Sequence, residues 1–340
     1  MSEAVELLER LLEGTDLTQP QAERLLVLLM QADTSAAMIG AVLAALRAKG
    51  AVADEVRGFA EAMRRLALQP ALPALRAIDI VGTGGDRSGS LNISTGTALL
   101  SAACGLPVIK HGNRSVSSRA GSADVLEALG LRIPLEAAAV SACLTRCGFT
   151  FLFAPHYHPA TQAVAAARRA LGVRTVFNIL GPLTNPADPP LRLIGAFSIE
   201  VAALMAETLA GMGIERAFVV HGAEGWDEPT PVGPFTLFDV RPGRVDRGTR
   251  APEDYGLRRC RPADLIGGDA RHNAAALRAV LLGHERGAQR DCLLLGAALA
   301  LEIADASIDP RAAMDRAREA IDGGAAARVL ATLAAAGGDT

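Results

Sequence analysis

The sequence predicts an α/β domain preceded by a small all-helical one, on two observations. Residues 3 to 70 carry their apolar side chains at helical spacing. From Ile78 onward, short apolar runs alternate with helical stretches, the pattern of a sheet with helices on its faces. With 340 residues, half of them hydrophobic, the chain has material for one large core or two domains. The expected division is 1–72 for the helical part and 73–340 for the α/β part.

Val5, Leu7, Leu8, Leu11 and Leu12 mark the first helix. Thr18-Gln-Pro-Gln21 reads as a capping box with Pro20 tolerated in the first turn, ahead of Leu25, Leu26, Leu28 and Leu29. A third helix is expected from Thr34 or Ser35 to Gly50, and a fourth from near Asp54 to Leu68, where Pro70-Ala-Leu-Pro73 breaks the pattern. Strands are read at Ile78 to Val81, Val108-Ile109, Phe151 to Phe153, Leu193 to Ala196, Ala217 to Val220 and Phe235 to Phe238. Helices are read at Thr97 to Cys104, Ser122 to Leu129 and Val201 to Met212. Asn185-Pro-Ala-Asp-Pro-Pro190 is the most conspicuous irregular connection.

A net charge of -3 argues against general nucleic-acid or anionic-membrane binding. The five cysteines form no CxxC pair, and Cys143 and Cys147, four apart in a helical segment, read as small buried apolar residues. The acidic start lacks the features of a signal peptide, and no apolar run reaches the roughly 18 residues of a membrane span. The expectation is a soluble, reduced, cytoplasmic protein.

Polar chemistry concentrates in one region. Gly82-Thr-Gly-Gly-Asp86 follows a strand, and glycines there let the backbone approach a ligand and offer successive N–H groups to an anion. Alone this is weak, because such turns carry glycines for steric reasons as often as for ligands. It is neither a Walker A loop nor GxGxxG, whose last glycine is replaced by Arg87. Asn92-Ile-Ser-Thr95 precedes a helix expected to start near Gly96, where free N–H groups favour anions, although taken alone ordinary capping is the favoured reading. Lys110-His-Gly-Asn113 adds a cation and an amide after a second strand, and one of only two lysines in the chain. Ser117, Ser118 and Ser122 lead into another helix N-terminus. Two neighbouring strand–loop–helix units loaded with anion-binding groups outweigh the bland reading of either. Further on, Gly225-Trp-Asp-Glu-Pro229 offers adjacent carboxylates that suit a hard cation such as Mg²⁺ bridging to phosphate. His111, His156, His158 and His221 are scattered and read as structural or substrate-facing.

Taken together, these motifs resemble the anthranilate phosphoribosyltransferase family. The resemblance is carried by Gly82-Thr-Gly-Gly-Asp86, Asn92-Ile-Ser-Thr95, Lys110-His-Gly-Asn-Arg-Ser-Val-Ser-Ser118 with Arg119-Ala-Gly-Ser-Ala-Asp124, Arg168 with Leu171-Gly172, Arg174-Thr-Val-Phe-Asn-Ile-Leu-Gly-Pro-Leu-Thr-Asn-Pro186, and Asp227-Glu228, in family order over most of the chain. It implies transfer of a phosphoribosyl group from phosphoribosyl pyrophosphate (PRPP) to the amine of anthranilate, a step of tryptophan biosynthesis. It implies a small helical domain, joined by a mid-chain piece around 165–190, on a larger α/β domain with a central mixed sheet like that of nucleoside phosphorylases. A homodimer through the helical domain is also implied.

By the same resemblance, PRPP is expected on Gly82, Gly85, Asp86, Ser90, Asn92, Ile93, Ser94, Thr95, Lys110, His111, Gly112, Asn113, Arg114, Ser115, Val116, Ser117, Ser118 and Ser122, with the Lys110 to Ser118 loop closing over it. Anthranilate is expected on Gly82, Asn113 and Arg168, and two Mg²⁺ on Ser94, Asp227 and Glu228. Lys110, Asp227 and Glu228 carry the catalytic expectation, neutralising the pyrophosphate as it leaves. Arg168 suits a carboxylate through its planar guanidinium, although without the resemblance it reads as one of two adjacent arginines facing water. The departures lie on the acceptor side and around the glycine loop. Leu91 stands where an aromatic is expected, Ala166-Ala167 replaces Pro-Val, Thr161-Gln162 replaces Met-Lys, and the stretch Gly225 to Pro234 is Pro-rich and bulky. They keep a PRPP-dependent transferase for another aromatic amine open as an alternative. A pyrimidine nucleoside phosphorylase, whose motif reads KHS, and a non-catalytic nucleic-acid-binding paralogue are the further alternatives.

Overall fold

The computed structural model describes residues 2–115 and 119–336. Val116, Ser117 and Ser118, three of the residues expected to hold phosphate, lie outside the described residues. The helical part comprises α1 (Glu3–Leu12), α2 (Gln19–Leu29), α3 (Ala36–Lys49) and α4 (Ala53–Arg65). There follow β1 (Ile78–Gly82), α5 (Ile93–Ala103), β2 (Val108–Gly112), α6 (Ser122–Ala128), α7 (Ala137–Cys147), β3 (Phe149–Phe153), α8 (Ala154–Tyr157), α9 (Gln162–Leu171) and α10 (Phe177–Leu180). The remainder is β4 (Leu191–Gly195), α11 (Ile199–Ala210), β5 (Arg216–His221), β6 (Phe235–Arg241), β7 (Arg244–Arg250), α12 (Ala270–Leu281), α13 (Ala288–Ala304), α14 (Pro310–Asp322) and α15 (Ala325–Ala336).

Local chemistry accounts for many of the boundaries. The Gln21 side chain accepts the Thr18 N–H at 3.0 Å, as the capping box predicts, and Ser35 accepts the Met38 N–H at 3.2 Å to open α3. Gly50, at φ 88, ends α3. Two boundaries differ from expectation. Helix α4 stops at Arg65, short of Leu68, and α5 begins at Ile93, with Asn92 as its capping residue, not near Gly96. Asn-Ile-Ser-Thr carries no strong helix former, yet burial of Ile93 among core residues draws it into the first turn.

The strands form one seven-stranded mixed sheet in the order β3-β2-β1-β4-β5-β6-β7. The first five run parallel and β6 and β7 are antiparallel additions. Strand β7 is absent from the sequence reading because Arg-Val-Asp-Arg-Gly-Thr-Arg has almost no apolar face. Its ladder to β6, closed by the Pro242-Gly243 turn, is held by backbone pairing at an exposed edge. The order reverses at β1, since β2 lies on one side of it and β4 on the other. In an open α/β sheet the crevice at the carboxyl ends of such strands is the natural ligand site.

Helices α5 and α13 cover one sheet face, with α14 and α15 packed behind them, and share a core with β1, β2 and β3. A second apolar cluster joins the four N-terminal helices to Val164, Ala167, Phe177, Ile179, Leu180 and Leu183, and continues into α11 and the opposite face of β4 and β5. Among the described residues, no helix is long and apolar enough to cross a membrane.

Candidate active site

Each of four parallel strands runs into a glycine at its carboxyl end: Gly82 closes β1, Gly112 closes β2, Gly195 closes β4, and Gly222 follows β5. A Cβ at Gly82 would strike the Asp227 carboxylate, one at Gly195 the Asp227 carbonyl, and one at Gly222 the Glu228 carbonyl. The Asp227-Glu228 segment is thus seated in a slot that only hydrogen-sized side chains leave open. Gly195 and Gly222 are absent from the sequence reading. The signal that could have found them is the recurrence of glycine at the same level of neighbouring strands.

The slot fixes both carboxylates. Asp227 accepts the Gly84 N–H through Oδ2, and its own N–H donates to Asp86 Oδ2 at 3.3 Å. Glu228 Oε1 accepts the Ser94 N–H at 3.0 Å. At the first turn of α5, where phosphate is expected, one amide thus already has a carboxylate as partner. Ile93 and Thr95 are buried, the Thr95 N–H returns to Asn92 O at 3.1 Å, and the Thr95 hydroxyl has no partner among the described residues. Burial, followed by the nearby Asp86 carboxylate, pushes Asp227 up to about 7. Burial and then Asp227 push Glu228 up to about 8, with Lys110 opposing.

Lys110 does not open a loop. It belongs to β2, as do His111 and Gly112, and the chain leaves the sheet only at Asn113. Only 1 % exposed, Lys110 donates from Nζ to Ile80 O and to Ser94 Oγ, the latter at 3.3 Å. Burial lowers its pKa, against the pull of Asp79 and Glu228. Asp79, fully buried in β1, accepts the His111 N–H at 3.3 Å and the Asn185 amide at 2.9 Å.

The remaining expected residues separate into three groups. Asp86 turns back on its own loop, accepting the Ser88 N–H and hydroxyl, both at 3.0 Å. Ser90 and Asn92 are stitched to the far wall, Ser90 by a bridge to Ile266 and Asn92 by the Asn273 amide at 2.7 Å. Leu91 fills the core where an aromatic was expected. Asn113 is exposed, and its carbonyl accepts the Ser122 hydroxyl at 3.2 Å. Arg114 is not left free for phosphate. Asp124 and Glu127 pair with it, and Asp124 also accepts the Ser115 N–H at 3.1 Å.

The acceptor side is built differently. Arg168 lies over the Phe177 ring at 4.8 Å, half-buried, and among the described residues no carboxylate pairs with it. His111 and His158, scattered in sequence, meet with ring centroids 5.1 Å apart. His158 bonds the main chain of Thr184 at 3.0 Å and of Met63, tying the crevice floor to α4. Burial first, then His158, holds His111 at about 3, so both imidazoles are neutral. Gly85, exposed at the tip of the glycine loop, has its carbonyl bonded by Arg174, a residue the sequence reading holds only as the first letter of a motif.

Residues 5–67 match the model of the glycosyl transferase family, helical bundle domain, and residues 74–327 that of the glycosyl transferase family, a/b domain. Over 328 residues the chain is 46 % identical to the anthranilate phosphoribosyltransferase of Desulforudis audaxviator, covering 96 % of this chain and 94 % of that protein. The enzyme of that name from Azorhizobium caulinodans is 45 % identical, with 97 % and 95 % covered. The chain belongs to the anthranilate phosphoribosyltransferase family. The crystal structure of the Thermus thermophilus member superimposes with a TM-score of 0.90 at 39 % identity, covering 97 % of this chain and 98 % of that one. A member from Saccharomyces cerevisiae, solved in complex with PRPP and Mg, does so with a TM-score of 0.88 at 27 % identity, covering 98 % and 97 %. With that family established, the nucleoside phosphorylase and nucleic-acid-binding readings are set aside.

Proposed function

We infer that this chain transfers the 5-phosphoribosyl group of PRPP to the amine of anthranilate, releasing pyrophosphate, within tryptophan biosynthesis. One juxtaposition carries the reading beyond family membership. A half-buried guanidinium, Arg168, lies over Phe177 with no carboxylate partner among the described residues, and a carboxylate pair, Asp227 and Glu228, is seated on backbone amides at the carboxyl ends of the strands. The first suits a carboxylate-bearing acceptor, and the second a cation-bound diphosphate.

The residues present fit magnesium. Asp86, Asp227 and Glu228 are oxygen donors, and burial first, then the neighbouring carboxylates, pushes Asp227 and Glu228 up, a cost that a hard cation relieves. Among the described residues no three metal-ligating side chains close a cage, which suits an ion that keeps waters and substrate phosphates in its shell. Asp227, Glu228 and the Ser94 hydroxyl would hold it, and we place two such ions in each site. When bound, they supply the positive charge that makes pyrophosphate a competent leaving group.

The chain's own residues do the rest. Lys110 anchors the Ser94 hydroxyl and adds its charge from beneath. The backbones of Gly82 and Gly85 contact PRPP, with Asn113 and Ser122 on its outer side. Arg168 holds the acceptor carboxylate so that the neutral amine points at the anomeric carbon. The N–C bond forms as the C–O bond to pyrophosphate breaks, the electron pair leaves with pyrophosphate, and the amine proton passes to water. Positioning contributes more here than base catalysis, since the aniline nitrogen is already unprotonated. We further propose a division near residue 72, a homodimer through the N-terminal helices, and a cytoplasmic setting.

The test is loss of anthranilate fluorescence with protein, PRPP and Mg²⁺, against controls with EDTA and without PRPP. Loss only in the complete mixture is expected. No loss while PRPP still binds by calorimetry would replace anthranilate with another aromatic amine, and no PRPP binding would overturn the reading.

A further inference from the structure

Arg174 sits just beyond the Gly172 turn that ends α9, on the same wall as Arg168, and a cation there reads at first sight as a second contact for the acceptor. Its contacts lead elsewhere. Its guanidinium lies 3.9 Å from the centroid of Phe197 and donates to the carbonyl of Gly85, at the tip of the glycine loop. Gly84, Gly85 and Arg87 all hold positive φ, at 69°, 79° and 62°. A loop so wound has no ladder of its own and, apart from the bonds joining Asp86, Ser88 and Ser90 within it, is held by what bonds it from outside.

Its base is held by the turn between β4 and α11: the Thr83 N–H donates to Gly195 O at 2.9 Å, and the Phe197 N–H to Thr83 Oγ1 at 3.2 Å. Phe197 thus braces the loop twice, by its own amide at the base and, through Arg174 lying on its ring, at the tip. Resting on the function proposed above, we infer that Arg174 is a positioning residue for the PRPP loop. It acts through Gly85 and Phe197, and not through the acceptor on whose wall it stands.

Three variants test this in the full-length protein: Arg174→Ala, Arg174→Lys and Phe197→Leu, with initial rates measured against each substrate in turn. Loss of one charged hydrogen bond and one cation–π contact predicts a PRPP KM about tenfold higher in Arg174→Ala, with the anthranilate KM within about twofold. Arg174→Lys, which keeps a cation and a donor, restores most of the loss. Phe197→Leu raises the PRPP KM in the same direction, and the Arg174→Ala/Phe197→Leu double variant is no worse than Arg174→Ala, because the pair acts as one unit. A rise in the anthranilate KM instead would make Arg174 an acceptor contact and overturn the inference. An unchanged PRPP KM in Phe197→Leu, beside a raised one in Arg174→Ala, would overturn it in favour of direct phosphate contact. Should the unmodified protein turn nothing over, the functional reading fails separately. Calorimetric PRPP binding then decides this inference, a roughly tenfold weakening in Arg174→Ala supporting it and equal binding overturning it.

Discussion

The two walls of the crevice are held by different means. On the phosphate side the reactive carboxylates are fixed by main chain: Gly82, Gly195 and Gly222 close on the Asp227-Glu228 backbone, and the amides of Gly84 and Ser94 orient the side chains. On the acceptor side Arg168 rests on one aromatic ring. Main chain cannot yield without moving a strand, whereas a side chain on a ring can pivot. The wall proposed to bind the charged, metal-linked group is therefore preorganised, and the wall proposed to recognise the acceptor is held less tightly. Of the acceptor-side departures, Gln162 and Ala166 are exposed on α9, whereas Ala167 is buried in the core that joins α9 to the N-terminal helices.

The sharpest way to break the comparison is to add one methyl group to each wall. Gly195→Ala drives a Cβ into the Asp227 backbone and should cost more than about 3 kcal/mol and all activity. Gly181→Ala, with nothing within 4 Å, should melt and turn over like the parent protein. Equal melting temperatures for the two variants would deny that glycines enclose the carboxylate slot. Next in size, Lys110→Met removes the buried cation under Ser94 and should lower kcat about a hundredfold or more. A rate within a factor of about three of the parent would strip Lys110 of any part in the site.

Arg168→Ala should raise the anthranilate KM roughly ten- to a hundredfold, the worth of a charge-assisted pair of about 1.5–3 kcal/mol, while moving the PRPP KM and the melting temperature little. Equal rises in both KM values would place Arg168 on the phosphate wall. The smallest effect belongs to the floor between the walls. His111 is held at about 3 when folded, against an ordinary 6.5, so the unfolded chain takes up a proton that the folded chain refuses. Its contribution is complete above pH 6.5 and declines as pH falls toward 3, by about 1.4 kcal/mol at pH 5.5. His158 is shifted in the same direction. His111→Gln should flatten the stability profile below pH 6.5, and an unchanged slope would mean that the histidine pair is not buried neutral.

Much of this was legible in the residues. The four N-terminal helices and six of the seven strands follow from apolar period and capping residues, whereas the expectation that Gly82, Ser94, Lys110, Asp227 and Glu228 share one site came from the family resemblance. Strand β7 was not legible because Val245 is its one apolar side chain, and its register is set by backbone pairing to β6. The start of α5 was not legible because its residues look like a loop until Ile93 is buried. The pairing of His111 with His158, and of Arg174 with Phe197, joins positions far apart in sequence, where no local pattern marks a contact.

By itself the sequence determined which chemical groups reach the carboxyl ends of the strands, because strand–loop–helix order and side-chain type are local properties. Only the tertiary structure decided their states. It put Lys110 in the strand and under Ser94, gave the N-terminus of α5 to Glu228, tied Arg114 to Asp124 and Glu127, and left Arg168 unpaired among the described residues. Burial and charge pairing are set by neighbours brought in across the sheet, and a carboxylate or a lysine takes its charge, partners and reach from them.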